Sequence, residues 1–270
     1  MKAQGESKVI DAKYEKIIFK IPVESGDYME CSDYVVSAVE EIIKDSIEQG
    51  KNKITINTNL KLGIPMENVN KIAGPFIEAW AHEVFSEVVE DKNNRYNLIN
   101  VEACERLNLA DVILQFQMDR KNLHQTSITG NVDVKATSQD IEGSGKSPNI
   151  TSFAKIRTAY VEDPDLLFII LSIKHKVYSK KDKETNMMMG VMEVVDFNAY
   201  DLKYLSAPDI SYNPALGSGQ LQIRDIHYID REKRNVWEFC QLLDKKCILS
   251  KKGFEGWLSY AIQNGWIKDE

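Results

Sequence analysis

The stretch from Leu109 to Lys135 constrains the fold most, because it has the pattern of two β-strands that can pair as a hairpin. Residues two apart in a strand lie on the same face. Asp133 and Lys135 therefore point the same way, while the apolar residues that alternate with them point into a core. If the two strands pair, Asp111 on the first strand approaches this face. The stretch then places two carboxylates and one ammonium group in a small volume.

Such a trio of charges has a chemical use. Two neighbouring carboxylates repel and raise each other's pKa, and a hard divalent cation such as Mg²⁺ relieves the repulsion. A lysine beside the metal can orient a water molecule and offset charge that builds on a phosphate. The pattern suits metal-dependent hydrolysis of phosphodiesters. The short Asp-x-Lys pattern also fits a plain salt bridge on a solvated strand edge, and the residues alone leave that alternative open.

Length and composition limit the classes of protein to which this chain can belong. A chain of 270 residues with 43% hydrophobic residues can bury a sizeable core, as one domain or as one domain with an appended lobe. No apolar run approaches the ~18 residues of a membrane span, and the amino terminus lacks the apolar segment of a secretory signal. We therefore expect a cytoplasmic protein with no membrane contact.

The spacing of the cysteines and the net charge further limit the possible classes of protein. The cysteines are scattered without metal-site spacing, which predicts reduced thiols: Cys31, Cys104, Cys240 and Cys247. The net charge of −7 argues against a protein that coats nucleic acid non-specifically, but a local basic cleft remains compatible with it.

Apolar periodicity and capping residues predict the secondary structure. Strands are expected at 14–23, 53–62, 109–118, 131–136, 166–177 and 187–197. Helices are expected at 32–49, capped by Ser32-Asp33, at 69–90, at 149–162, capped by Asn149 or Thr151, at 235–246 and at 253–264. The strand at 166–177 is the most apolar and is predicted to be central, and a basic turn is expected at 179–183.

Two glycine-rich loops remain. The sequence Gly-Ser-Gly-Lys-Ser at 143–147 is not a P-loop, because a P-loop has a longer spacing between its first glycine and its Gly-Lys pair. The segment 207–222 reads as irregular, and an ordinary Gly/Pro loop is one interpretation. The other is a DNA-reading loop, because its glycines permit close approach and Ser218, Gln220 and Gln222 carry groups that suit base edges.

In order and spacing, these segments resemble the PD-(D/E)xK nucleases, and among them the type II restriction endonucleases of the EcoRV and HincII branch. The similar pieces are Ile72–Phe76, Leu109–Leu114, Val132–Lys135, Ser147–Ile150, and Leu216–Gln220 followed by Ile226-His227. The resemblance covers roughly residues 70–245. One departure is Ala110, which stands where the motif has proline; HincII-like members also have alanine there.

The resemblance implies an α/β (α+β) fold with a central mixed β-sheet flanked by helices, and a homodimer that cuts palindromic double-stranded DNA with Mg²⁺. The chain would divide into an N-terminal region at 1–68 that contributes to dimerisation, a catalytic and recognition core at 69–246, and a C-terminal helix at 247–270. A DNA methyltransferase of the same system would be a functional partner without a stable complex.

The resemblance also implies roles for particular residues. Asp111 and Asp133 would hold Mg²⁺ and Lys135 would orient the attacking water, with Glu78, or alternatively Glu83, as a supporting carboxylate. The implied DNA-binding residues are Lys146, Asn149, Lys155, Arg157, Ser218, Gly219, Gln220 and Gln222. Two alternatives stay open: a repair or junction-resolving PD-(D/E)xK nuclease that reads shape, and a non-catalytic DNA-binding protein with structural carboxylates.

Overall fold

The computed structural model describes residues 12–105, 108–118, 127–215 and 217–268. The polar turn expected after residue 118 and Leu216 of the recognition-loop motif lie outside the described residues, as does the segment 1–11. None of the helices in the described part of the chain has the length and apolar character needed to cross a bilayer.

The α-helices of six or more residues in the described part of the chain are α1 (Tyr28–Glu48), α2 (Met66–Lys71), α3 (Ala73–Glu90), α4 (Phe153–Glu162), α5 (Val236–Ile248) and α6 (Gly253–Gln263). The strands are β1 (Lys53–Ile56), β2 (Leu98–Ala103), β3 (Val112–Gln117), β4 (Ser127–Ser138), β5 (Asn149–Ser152), β6 (Leu167–Lys181), β7 (Met188–Asp201), β8 (Ile210–Asn213) and β9 (Gln220–Ile223).

The strands form a large mixed sheet and a small antiparallel one. The large sheet has the order β1-β7-β6-β4-β3-β2, and the small sheet has the order β5-β9-β8. In the large sheet only β4 and β6 run parallel, and α4 lies in the crossover between them. The fold class predicted from the sequence, a mixed sheet with flanking helices, is confirmed.

Helices cover both faces of the large sheet, so β4 is buried on both sides. The first core lies under α1 and α3 and receives Val132 and Val134 of β4. The second core lies under α4, α5, α6 and the small sheet, and it receives Phe168 and Ile170 of the neighbouring β6. Ile170 pairs with Asp133, so the Asp133 side chain lies on the second-core face.

Close packing of α1 explains one glycine inside β4. A Cβ atom on Gly130 would lie 2.7 Å from Cγ1 of Val35 on α1. Glycine therefore allows the helix to approach the sheet closely, and Val35 is fully buried there.

The amino-terminal part of the chain differs from the sequence predictions. Segment 14–23 is not a strand; its one sheet-like contact is a bridge between Phe19 and Ile267. Helix α1 begins at Tyr28, before the expected cap, because the Tyr28 hydroxyl donates to Leu166 O and anchors the first turn. The Ser32 hydroxyl donates to the buried Asp201 carboxylate instead of capping the helix.

Other differences also have tertiary causes. The helix expected at 69–90 is divided at Ile72 into α2 and α3. Strand β2 was not predicted, because it is a largely exposed edge strand with little apolar alternation. Residues 179–181 of the expected basic turn belong to β6, which pairs with β7 as far as Lys181, and the turn follows at 182–187. The segment expected to be irregular contains β8 and β9, which pair with each other and, through β9, with β5.

The three regions predicted from the sequence pack together in shared hydrophobic cores. From the N-terminal region, α1 packs in the first core and β1 pairs with β7 at the sheet edge. From the C-terminal segment, Trp257 and Trp266 are fully buried in the second core.

The prediction that Arg157 contacts phosphate is wrong. The Arg157 side chain is 0% exposed, and its guanidinium donates to both carboxylate oxygens of Asp244 at 3.1 and 3.2 Å. The Tyr14 hydroxyl also donates to this carboxylate at 2.8 Å, and the Trp266 ring lies 5.1 Å from the guanidinium carbon. Arg157 is thus a component of the second core.

This ion pair predicts a large difference between two neighbouring cations of α4. Arg157→Met leaves the Asp244 carboxylate buried without its charge partner and should cost about 3–5 kcal/mol of unfolding free energy. The matched control Lys155→Met, on the exposed side of the same helix, should stay within ~0.5 kcal/mol of wild type. Urea unfolding measures both, and equal stabilities would contradict the structural role of Arg157.

Candidate active site

The predicted hairpin of β3 and β4 is confirmed, and it places Asp111 beside Asp133. The strands are antiparallel, with Val112 opposite Val132. Asp111 lies just before β3, where its backbone N–H donates to Val132 O at 3.0 Å. Its carboxylate Oδ2 accepts a hydrogen bond from the Val134 backbone N–H at 2.8 Å. The Asp111 carboxylate is therefore fixed against the backbone that carries Asp133.

The Asp133 carboxylate is buried beside Lys135. The residue is only 4% exposed, and its Oδ2 lies 2.7 Å from Lys135 Nζ in an ion pair. Oδ2 nevertheless accepts no well-aligned hydrogen bond. The alternative of a salt bridge on a solvated strand edge is wrong, because the face of the sheet that carries Asp133 is covered by the second core.

Burial changes the protonation of this carboxylate. Desolvation raises the pKa of Asp133 to about 7, with a further contribution from the Asp111 charge, while Lys135 acts in the opposite direction. A buried carboxylate with an unfilled hydrogen-bonding position is a group that a cation or a proton stabilises.

Of the two candidate glutamates on α3, Glu78 is the one near the site. Partial burial raises the pKa of Glu78, the Asp111 carboxylate raises it further, and the Lys135 charge opposes both. Glu78 is therefore within electrostatic range of the charged trio. Glu83 is exposed. The helical spacing of the two residues places them on different sides of α3, and the sequence alone could not decide between them.

The charged trio lines a cleft of about 240 Å³ between the large and small sheets. The residues that line it are Asn108, Leu109, Ala110, Asp111, Asp133, Lys135, Ile150, Thr151, Ser152, Lys155 and Gln220. The cleft thus brings Lys155 and Gln220, which are distant in sequence, to the same space as the two carboxylates. An ammonium group and an amide thus line the same small cavity as the carboxylates.

The other predicted DNA-binding residues lie outside this lining. Lys146 and Asn149 are exposed, and the Asn149 side-chain oxygen accepts a hydrogen bond from Gln222 Nε2 at 3.0 Å. Ser218 turns its hydroxyl toward Ser152 Oγ, at 3.0 Å.

Gly219 is required by its surroundings. It has φ +93°, and a Cβ atom there would lie 2.2 Å from the hydroxyl oxygen of Tyr212.

Sequence reasoning missed the β5 residues that line the cleft. The sequence predicts a helix cap at Asn149 or Thr151, whereas Thr151 and Ser152 pair with Leu221 and Gln220 of β9. The β-branched pair Ile150-Thr151 is the local indication of a strand. The pair is so short that the segment also fits the N-terminal cap of a helix.

The carboxylates fit a divalent metal ion with oxygen ligands. In the described residues no cluster of three or more His, Cys, Asp or Glu side chains is close enough to bind a metal by itself. Asp111 and Asp133 would supply two carboxylates, and the buried Asp133 Oδ2 is paired with the Lys135 ammonium without a well-aligned hydrogen bond. Such a donor set fits a hard divalent cation, whose shell water and phosphate oxygens would complete.

Comparisons with known proteins agree with this chemistry. The family described as "Type II restriction endonuclease HpaI" matches residues 15–265. The type II restriction enzyme HpaI of Haemophilus parainfluenzae is 58% identical over 258 residues, which span 95% of this chain and 100% of that protein. The NlaIV restriction endonuclease is a solved structure with a TM-score of 0.46 and 13% identity over 84% of this chain and 87% of that chain, too distant to bear on function.

The resemblance to restriction endonucleases is thereby confirmed, and it is favoured over the repair-nuclease and non-catalytic alternatives. The finer placement in the EcoRV and HincII branch stays a prediction. The match covers nearly the whole chain, including the cleft residues and both layers of helices. The chain belongs to the HpaI family of type II restriction endonucleases.

Proposed function

We propose that this type II restriction endonuclease hydrolyses phosphodiester bonds with Mg²⁺, as a homodimer, at a palindromic sequence of double-stranded DNA. Family membership implies a divalent metal cofactor and a double-stranded DNA substrate; the choice of Mg²⁺, the dimer and the palindrome are the proposal. We also propose that it acts in the cytoplasm, where its four free cysteines would remain reduced.

One observation carries the proposal: the two carboxylates, Lys135, Lys155 and Gln220 line the same cleft. A scissile phosphate in this cleft would lie among the charged groups while a base edge lies within reach of the Gln220 amide. A purely structural pair of carboxylates would need neither a second lysine nor an amide facing it.

Each charged residue of the cleft has its own role in the proposed hydrolysis. Asp111 and Asp133 would hold Mg²⁺, which when bound lowers the barrier by polarising the phosphate and the attacking water. The Lys135 ammonium, held against Asp133 at 2.7 Å, orients the water and offsets negative charge that builds on the phosphate. Glu78 keeps a further negative charge near the pair. Lys155 contacts a phosphate from the opposite wall.

Gln220 is the best-placed group for reading a base. It lies at the start of β9 and faces the cleft, and a glutamine amide can make two hydrogen bonds to adenine. Gln222 follows on the same strand, held by Asn149. Exposed Lys146 lies in the loop that a DNA backbone would pass. A symmetric dimer would present two such strands to the two halves of a palindrome.

Removal of a cleft charge should abolish cleavage without unfolding the protein. Asp111→Asn, Asp133→Asn and Lys135→Ala should each lower the cleavage rate by at least ~10²-fold, because each removes a metal ligand or a charge stabiliser. On α3, Glu78→Gln should reduce the rate and Glu83→Gln should leave it unchanged.

Digestion of a mapped plasmid with Mg²⁺, with sequencing of the ends, measures these rates. Discrete bands with wild type establish a defined site, and sequencing of the ends shows whether it is palindromic. Wild-type rates for Asp133→Asn would refute the metal assignment.

The raised pKa of Asp133 predicts how stability depends on pH without metal. The unfolded chain loses this proton near the ordinary value of 3.8, whereas the folded chain retains it until about pH 7. The folded state therefore loses stability as pH rises between these values. In EDTA, Asp133→Asn should gain in melting temperature relative to wild type by at least ~2 °C more at pH 8 than at pH 4.5.

Addition of Mg²⁺ provides the complementary measurement. The ion should raise the melting temperature of wild type more than that of Asp133→Asn, because a ligand stabilises the state that binds it. Equal stabilisation of the two proteins would show that Asp133 does not hold the ion.

Base reading and phosphate contact can be separated by two variants of the same cleft. Gln220→Ala should lower cleavage of the cognate site by about one to two orders of magnitude and leave affinity for random duplex nearly unchanged, since a bidentate base contact contributes ~1–3 kcal/mol. Lys155→Ala should weaken both duplexes alike and reduce the salt slope by about one. If Gln220→Ala weakens random and cognate DNA equally, Gln220 reads no base.

A further inference from the structure

Helix α4 depends on another segment for its amino-terminal cap. The first N–H groups of a helix lack partners within the helix. The N-cap residue Ser152 makes no capping hydrogen bond with its side chain. Instead, the Phe153 N–H donates to Gly219 O at 3.0 Å, and the Ala154 N–H donates to Ser218 Oγ at 3.2 Å. The acceptors for the first turn of α4 therefore come from the loop before β9.

This loop, which we call the cap loop (217–219), is held firmly in place. The Tyr212 hydroxyl donates to Ser218 O, and the same ring leaves no room for a side chain at Gly219. Lys252 Nζ donates to Gly217 O at 2.6 Å and the Tyr260 hydroxyl at 3.0 Å. The cap loop is thus fixed between α6 and the small sheet on one side and α4 on the other.

The cap loop connects two functional residues of the cleft. Gln220 follows it directly, and Lys155 lies in the turn of α4 that it caps. Both residues line the cleft with the carboxylates. The Ser218 hydroxyl, at 3.0 Å from Ser152 Oγ, lies at the junction of β9, β5 and α4.

We propose that Ser218 is a positioning residue that couples base reading by Gln220 to the placement of Lys155 on the phosphate. This inference rests on the proposed function. When Gln220 binds a correct base pair, the cap loop keeps its position. Ser218 Oγ and Gly219 O then continue to accept from the first turn of α4 and hold it in place. A wrong base pair displaces β9, removes these acceptors and moves Lys155. Ser218 thus acts through α4 and not at a base edge.

A double-mutant cycle tests the coupling. We compare wild type, Ser218→Ala, Lys155→Ala and the double variant in single-turnover cleavage of the cognate duplex with Mg²⁺. Ser218→Ala should lower the rate by about tenfold or more, because a small misplacement of a positioning group can cost up to ~10²-fold. In the Lys155→Ala background the same change should matter by less than ~2-fold, because the group that it positions is absent.

Affinity and a conservative variant separate positioning from base contact. With Ca²⁺ in place of Mg²⁺, Ser218→Ala should lose affinity for cognate and random duplexes alike, and by no more than Lys155→Ala does, because the contact that it misplaces is to a phosphate. Ser218→Thr keeps the hydroxyl and should restore the rate to within ~3-fold of wild type. The matched control Ser211→Ala removes a hydroxyl of the same small sheet that is bonded to Gln222 O and should cleave normally.

Several outcomes would overturn the proposal. Multiplying losses in the double variant would show that Ser218 and Lys155 act independently. Affinity lost for the cognate duplex and kept for the random duplex would indicate a base contact by Ser218. Normal cleavage by Lys155→Ala would also refute it. If Ser218→Ala fails to fold, Tyr212→Phe, which releases Ser218 O, carries the same expectations. Wild type is tested first: failure to cut a defined site would refute the proposed function, whereas the outcomes above refute only the coupling.

Discussion

The site depends on the burial of one carboxylate. Asp133 lies on β4, which is covered on both faces, and its nearest charge is the Lys135 ammonium on the same strand face. Burial favours the neutral acid, the lysine favours the anion, and the Asp111 carboxylate opposes it. Because burial raises the pKa of Asp133 to about 7, a cation bound beside it favours the anion that burial disfavours. A more exposed strand would lose this sensitivity, because solvent would stabilise the anion unaided.

The sequence predicted the parts of the site that depend on local alternation. The relation between Asp133 and Lys135 follows from strand periodicity, and the approach of Asp111 requires only a hairpin. The choice between Glu78 and Glu83 required the position of α3 over the sheet. Arg157 could not be assigned from periodicity, because it and Lys155 are two residues apart on α4 and so lie on nearly opposite sides. The partner that decides which cation is buried, Asp244, is 87 residues away.

The small sheet shows the same limit of prediction from local sequence patterns. Strands β8 and β9 are four residues each and rich in polar side chains, and the pairing of β9 with β5 joins segments about seventy residues apart. Strand formation there comes from tertiary contact, which a local pattern does not contain. Ser218 is an example: a hydroxyl beside two glycines suits a DNA-reading loop, and the local pattern does not show that its Oγ also accepts from the Ala154 N–H at the first turn of α4.

The order in which the second core is assembled has a consequence for a chain emerging from the ribosome. Asp111, Asp133 and Lys135 are all synthesised before residue 136, yet the layer that buries this face includes Phe239, Trp257 and Trp266. A nascent chain therefore holds every charged residue of the trio long before it can enclose them, and contacts of such sequence separation form late in folding. Nuclease activity would then arise only once α5 and α6 have joined the second core.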